Sequence, residues 1–165
     1  MPQEFSMQEA LKTAVQTEKN VMDFYLRAAE ITKNERAKKV FETLAREERE
    51  HAENFFNLYS GKDLGSFEEF MQTEPKFDTT ILHNLEKALK DDVHERKAME
   101  FAMQEEEDLA RHLEMTAEKI VDPKVRAVFK KMADETRNHY AIIESEYAHW
   151  MAMVHETDID TYVRE

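Results

Sequence analysis

The sequence contains no cysteine at any of its 165 positions. Disulfides, thiolate zinc sites and iron–sulfur clusters all require cysteine sulfur, so this chain forms none of them. If the protein carries out redox chemistry, its electrons must therefore come from a separate donor.

Glycine and proline are also scarce, with two and three residues respectively, whereas 36% of the residues are charged and 41% are hydrophobic. Because glycine and proline interrupt helices, a chain that uses so few of them and so much Glu, Lys, Ala, Met and Leu is typical of helical proteins. The length suits one compact domain, and we treat residues 1–165 as a single domain.

Basic residues are in the minority, since 23 Lys and Arg face 36 Asp and Glu for a net charge of -13. Phosphate binding needs a basic stripe, so we expect no nucleic-acid partner. Excess carboxylate suits the handling of cations, although it also serves solubility alone. No apolar run approaches the ~20 residues of a membrane span, and MPQEFSMQEA lacks the parts of a signal peptide. We therefore expect a cytoplasmic protein without membrane contact.

Four long amphipathic stretches are separated by a few breaks. We predict helices at about 6–33, 36–59, 80–121 and 124–156. Ser6, with Glu9 three residues later, forms a capping box for the first helix, and Asp122-Pro123 supplies the N-cap and first residue of the fourth. We expect Gly61 to close the second helix.

The connections near residues 34 and 122 are short and predict antiparallel neighbours, whereas the stretch at about 60–79 is long enough to cross the bundle lengthwise. The chain is therefore expected to form two helical hairpins joined by a crossover. The third stretch is longer than the others, so residues 80–94 either bend away or form a separate short helix.

The two hairpins repeat one another, as residues 10–53 and 98–141 align without a gap after a shift of 88 positions. Between residues 10–51 and 98–139, 12 of 42 positions are identical. The identical pairs include Glu18/Glu106, Phe41/Phe129, Ala45/Ala133 and His51/His139. Internal duplication is the simplest explanation.

Several polar residues occupy positions where the helical pattern calls for apolar ones. Heptad spacing places Glu18 on one line with Leu11 and Tyr25, so its side chain should point inward. Five side chains point inward in this way, at one height of the bundle: Glu18, Glu48, His51, Glu106 and His139. Burying an ionised carboxylate costs several kcal/mol unless a partner or a metal neutralises it. A shared cation would explain all five.

The residue types of this cluster indicate the metal. Carboxylate oxygen with imidazole nitrogen suits iron or manganese, and the Glu48-x-x-His51 spacing puts both side chains on one helical face. Di-iron bundles use one Glu from each of two helices and Glu-x-x-His from each of the others. Here Thr136 stands where the second Glu-x-x-His should begin. Glu135 is adjacent, but it is turned by about 100° around the helix.

The segments ALKTAVQTEKNVMDFY and FETLAREEREH, with their second copies, resemble the rubrerythrin branch of the ferritin-like superfamily over residues 8–145. The resemblance implies an all-α, ferritin-like four-helix bundle that holds two iron ions, with manganese or zinc as alternatives. By the same resemblance, Glu18 and Glu106 are terminal ligands, Glu48 is a bridging carboxylate, and His51 and His139 are nitrogen ligands. Tyr25 matches a tyrosine that lies just outside the ligands, and either Tyr25 or a metal-bound water is the candidate general acid.

Three features depart from the family pattern. The absence of cysteine means that this chain carries no rubredoxin domain. Leu109 stands where peroxidase-type members have an additional glutamate. Thr136 removes one bridging carboxylate, which leaves the second metal position weak, completed by water, or empty.

Three functions are compatible with this pattern. The first is an oxidoreductase that reduces peroxide or dioxygen in oxidative-stress defence, with electrons from a separate rubredoxin or flavoprotein. The second is iron handling of the ferroxidase type, and the third is a structural bundle with a degenerate metal site. Long apolar bundles of this kind often assemble, so we expect a homodimer.

A second polar group falls on the seam near the far end of the bundle. Glu146-x-x-His149 reproduces the ligand spacing, and Glu95 lies on a neighbouring seam line. These residues are either a second metal site or, as we favour, a polar helix end or dimer contact.

Overall fold

Helices make up all the regular secondary structure in the parts of the chain that the computed structural model describes, residues 5–76, 80–88 and 94–163. The helices are α1 (Met7–Ile31), α2 (Glu35–Leu58), α3 (Phe67–Met71), α4 (Thr80–Ala88), α5 (His94–Lys119) and α6 (Pro123–Val163). The long helices α1 and α2 pack along one another, as do α5 and α6, and the two hairpins meet through α1 with α5 and α2 with α6. The predicted all-α bundle of two helical hairpins is confirmed.

The helix starts follow the capping residues that the sequence contains. Ser6 Oγ accepts a hydrogen bond from the Glu9 backbone N–H at 3.2 Å. Asp122 Oδ1 accepts from the N–H of Lys124 at 2.9 Å, and Pro123 is the first residue of α6. These bonds satisfy donors that a helix start leaves without intrahelical partners, and both predicted starts are confirmed.

The predicted role of Gly61 at the end of α2 is wrong. The helix ends at Leu58, and Tyr59, in an extended conformation, is the cap residue. A Cβ placed at Gly61 would instead meet the far end of the Tyr59 side chain. Among the described residues, positive φ occurs at Gly65, whose value of 74° suits a residue without a side chain.

The region between the hairpins contains two further helices. Within the crossover, Ser66 Oγ accepts from the Glu69 N–H at 3.1 Å and starts the five-residue α3. The predicted third stretch contains α4 and α5, and α4 packs against both α5 and α1. Residues 77–79 and 89–93 lie outside the described part of the chain.

Apolar side chains from the long helices fill the interior on both sides of the polar cluster. Phe41 and Phe129, which the repeat aligns, are each 1% exposed, and the rings of Phe55 and Phe129 lie 4.8 Å apart. Each such side chain contributes about 1.5–3 kcal/mol when fully buried. This packing fixes the inward residues at their common height. Among the described helices, none is long and apolar enough to cross a bilayer.

Candidate metal centre

The structure brings the five predicted ligands together in the middle of the bundle. Glu18 comes from α1, Glu48 and His51 from α2, Glu106 from α5, and His139 from α6. The three glutamates are fully buried, and the two histidines are 3% exposed. Since all four long helices contribute, the centre depends on the complete bundle.

Glu48 lies between the two imidazoles. Its Oε1 is 2.9 Å from His139 Nδ1, and its Oε2 is 3.7 Å from His51 Nδ1. The imidazole rings are nearly parallel, with 5.0 Å between their centroids. One carboxylate thus faces a nitrogen from each hairpin, which is the arrangement that a shared ligand requires.

The two outer glutamates repeat one another around this central carboxylate. Glu18 Oε2 is 3.6 Å from His51 Nδ1, and Glu106 Oε1 is 3.6 Å from His139 Nδ1. Each imidazole Nδ1 therefore faces one outer glutamate and Glu48. The centre divides into two similar halves, as the sequence repeat predicts.

Several of these buried atoms have no hydrogen-bond partner among the described residues: both carboxylate oxygens of Glu18, Oε2 of Glu48, Oε2 of Glu106, and Nδ1 of His51. A buried polar atom without a partner costs about 1–3 kcal/mol, and a charged one costs more. One ligand atom each from Glu48, His51 and His139 lies within 4.8 Å of the others. Oxygen and imidazole nitrogen at this spacing fit a divalent cation such as iron.

The buried carboxylates and imidazoles of the centre also shift one another's pKa values. Burial and the charge of Glu48 raise the pKa of Glu18 well above its ordinary value. Burial opposes the charged imidazoles, but Glu18 and Glu48 outweigh it and raise the pKa of His51 to about 11. Glu106 and Glu48 likewise overcome burial and raise the pKa of His139 to about 10. Protons and a metal ion would therefore compete for these side chains.

Tyr25 lies beside the centre and is fully buried. Its hydroxyl donates a hydrogen bond to Glu106 Oε1 at 2.5 Å. Burial, together with the negative charges of Glu106 and Glu48, raises the pKa of Tyr25 well above its ordinary value. The phenol therefore keeps its proton and holds it at the carboxylate.

Thr136 interrupts the symmetry of the two halves. It is fully buried, and its hydroxyl donates to the Met132 carbonyl of its own helix at 2.7 Å. Thr136 aligns with Glu48 in the repeat. An exact repeat would place two carboxylates between the halves of the centre, whereas this chain places one there. Thr136 therefore supplies no carboxylate to the centre.

Comparison with known proteins shows the family of this chain. The sequence profile of the family described as Rubrerythrin matches residues 9–147, which is most of the chain. The chain belongs to the rubrerythrin family. The resemblance seen in the sequence is thereby confirmed.

A solved structure of a hypothetical protein from Pyrococcus furiosus is similar to this chain. The two share 25% sequence identity with a TM-score of 0.66, and the match covers 90% of this chain and 92% of that one. A search of curated proteins gave no match. Membership of the rubrerythrin family and the buried glutamate–histidine group together indicate metal binding, typically of iron.

Two further carboxylates contact the outer ring nitrogens of the histidines, and the sequence pattern did not predict these contacts. Glu135 Oε2 lies 2.7 Å from His51 Nε2, and Glu47 Oε2 lies 2.9 Å from His139 Nε2. Glu135 therefore does not replace the missing bridge at Thr136. Positions 47 and 135 are both glutamate in the aligned repeat. This identity is the sequence signal from which the two carboxylates could have been predicted.

Replacing either supporting glutamate by glutamine should weaken metal binding by about 10–100-fold, because carboxylates of this kind orient the ligating ring and raise its basicity. The measurement is metal affinity of Glu47→Gln and Glu135→Gln by competition with a chelator. Glu53→Gln on the exposed face of α2 removes the same charge without touching a histidine and should bind like the parent. Equal affinity in all four proteins would show that the outer carboxylates do not orient the imidazoles.

The second polar group is not arranged as a rubrerythrin-type centre. Both oxygens of Glu146 contact Arg36 Nε, at 2.9 and 3.0 Å, and His149 is exposed. Glu95 accepts a hydrogen bond from the Lys33 backbone at 3.0 Å. Glu146 is thus neutralised by an arginine at the start of α2, which favours the interpretation as a polar helix end.

Proposed function

We propose that the chain is a non-haem di-iron oxidoreductase that reduces peroxide or dioxygen. The position of Glu48 carries this proposal, since its two oxygens face an imidazole from each hairpin. A carboxylate between two similar ligand groups suits a pair of ions, whereas a single ion needs only one such group.

The five proposed ligands would be shared out between two metal positions. Glu18 and His51 would hold one ion, Glu106 and His139 the other, and Glu48 would be shared. Each ion then has few protein ligands, because Thr136 contributes no carboxylate to the pair. We therefore expect the second ion to bind more weakly, and we expect positions open to water or oxidant.

When bound, two ferrous ions supply the two electrons that convert one peroxide, with two protons, into two waters. The chain itself excludes bulk water by burying every proposed ligand. Tyr25 holds a proton at Glu106, from which it can be transferred as charge develops near that carboxylate. Re-reduction requires a separate donor such as rubredoxin.

Anaerobic reconstitution with ferrous iron tests the proposal. We expect up to two irons per chain by metal analysis, and the consumption of one peroxide for every two ferrous ions oxidised, faster than with free ferrous iron. Continued uptake of iron well beyond two per chain would favour iron handling instead. Absence of bound iron after reconstitution would leave a structural bundle, and preferential loading of manganese or zinc would change the metal assignment.

The location in the cytoplasm, the homodimer and the role in oxidative-stress defence stay predictions. Light scattering distinguishes a dimer from the large shell that iron storage requires.

A further inference from the structure

A groove between α5 and α6 extends from the surface to Glu106, at the edge of the candidate metal centre. Its volume is about 520 Å³, and we call it the α5–α6 groove, with Glu106, Ala110, Arg111, Arg137 and Tyr140 among its lining residues. Glu106 is a proposed ligand, fully buried, and its Oε2 has no hydrogen-bond partner in the described part of the chain. A molecule in this groove therefore lies against a residue of the centre.

The cavity at the corresponding place on the first hairpin, of about 450 Å³, is lined by Asp23 and Leu26 but does not reach the ligand Glu18. The repeat aligns Ala110 with Met22, and Met22 is 6% exposed. It also aligns Glu107 and Arg111 with Lys19 and Asp23, which form a buried ion pair with 2.6 Å between Lys19 Nζ and Asp23 Oδ2. On the second hairpin, the small Ala110 thus takes the place of the large Met22. The exposed ion pair of Glu107 and Arg111 takes the place of the buried pair on the first hairpin. These smaller and more exposed side chains leave the groove open beside Glu106 on the second hairpin.

Thr136 lies on the same side of the second hairpin. It precedes Tyr140 by four residues on α6, and residues at this spacing share one helical face. Its hydroxyl is turned back to Met132 and offers no carboxylate to the centre. Thr136 and Tyr140, which lines the groove, therefore lie on one face of α6.

The charges at the rim indicate what kind of molecule enters. Arg111 lies 3.3 Å from Glu107, and Arg137 pairs with Glu114 and with Asp134 at 3.1 Å. Because each guanidinium is already paired with a carboxylate, the rim attracts neither anions nor cations strongly. An uncharged polar molecule meets the smallest desolvation cost there.

A second cavity, of about 370 Å³, lies over the outer edges of His51 and His139. It is a poorer route to the centre, since Glu135 and Glu47 occupy the Nε2 atoms on that side. The stacked rings stand between this cavity and the inner carboxylates.

We propose that the α5–α6 groove is the route by which a small uncharged oxidant, a peroxide, reaches the centre beside Glu106. This inference rests on the proposed function, because it names the substrate route of the same site. Ala110 sets the width of the route and Tyr140 forms its far wall.

The test uses the full-length, iron-loaded chain and two readouts. Ala110→Met, which restores the residue type of the first hairpin, should slow hydrogen peroxide consumption by about 10-fold or more. It should also slow the binding of nitric oxide to the ferrous centre, followed by absorption in a stopped-flow instrument. Iron content should stay unchanged. Ala127→Met adds the same side chain at an exposed position of α6 and should leave both rates as in the parent.

Tyr140→Ala provides an independent check in the opposite direction, should the larger residue at position 110 disturb folding. Widening the groove should raise the rate with tert-butyl hydroperoxide relative to hydrogen peroxide, and an unchanged ratio would count against the route. If folded Ala110→Met consumes hydrogen peroxide and binds nitric oxide at the parent's rates, the route is overturned while the proposed function stands. Slower nitric oxide binding in a chain that reduces no peroxide would support the route and overturn the function.

Discussion

Replacing Glu48 by glutamine should abolish tight metal binding while the metal-free chain stays folded. Glu48 is the carboxylate that faces both imidazoles, so its loss affects both proposed metal positions at once. Glutamine keeps the size of the side chain and an oxygen that can accept from His139, but it removes the negative charge. We expect a loss of affinity of roughly 100-fold or more, larger than that expected for an outer carboxylate.

The measurement is iron content after anaerobic reconstitution and dialysis, together with circular dichroism of the metal-free protein. Glu53→Gln is the matched control, because it makes the same chemical change on the exposed face of α2. A Glu48→Gln chain that is folded and holds iron as tightly as the parent would show that Glu48 serves only to hydrogen-bond the histidines.

Replacing Thr136 by glutamate should tighten binding of the second iron, by about 100-fold, and bring the content to two firmly held ions per chain. The reason is the repeat, in which position 136 corresponds to Glu48 and is equally buried. A carboxylate there would add the missing bridge between the two halves. The larger side chain also costs stability, about 1–3 kcal/mol for overpacking in the metal-free protein.

Thr136→Gln separates these two effects, since it introduces nearly the same volume without the charge. It should lower the melting temperature of the metal-free chain as the glutamate variant does, without any gain in iron. Isothermal titration with ferrous iron under argon gives both affinities. If Thr136→Glu binds no more iron than the parent, position 136 does not face the metal pair.

Much of the fold follows from local patterns in the sequence. Ser6 and Asp122 start helices because their side chains can accept from backbone donors that have no other partner, and this depends only on nearby residues. Heptad spacing likewise gave the inward direction of Glu18 and Glu106, since residues on one helical line share a face. Such properties do not require knowledge of the tertiary structure.

The features that the sequence did not provide depend on distances between elements. Glu47 and Glu135 sit at the edge of the seam, and only the packing of α2 against α6 shows that each reaches a histidine of the other helix. The α5–α6 groove depends on side-chain volumes on two helices at once.

The pairing of these outer glutamates links the two halves of the chain. His51 of the first hairpin contacts Glu135 of the second, and His139 of the second hairpin contacts Glu47 of the first. Neither half alone can hold its imidazole in place, so an ancestral single hairpin could have built this centre only by associating with another copy of itself. Duplication within one gene would then have converted the association of two separate hairpins into packing within a single chain.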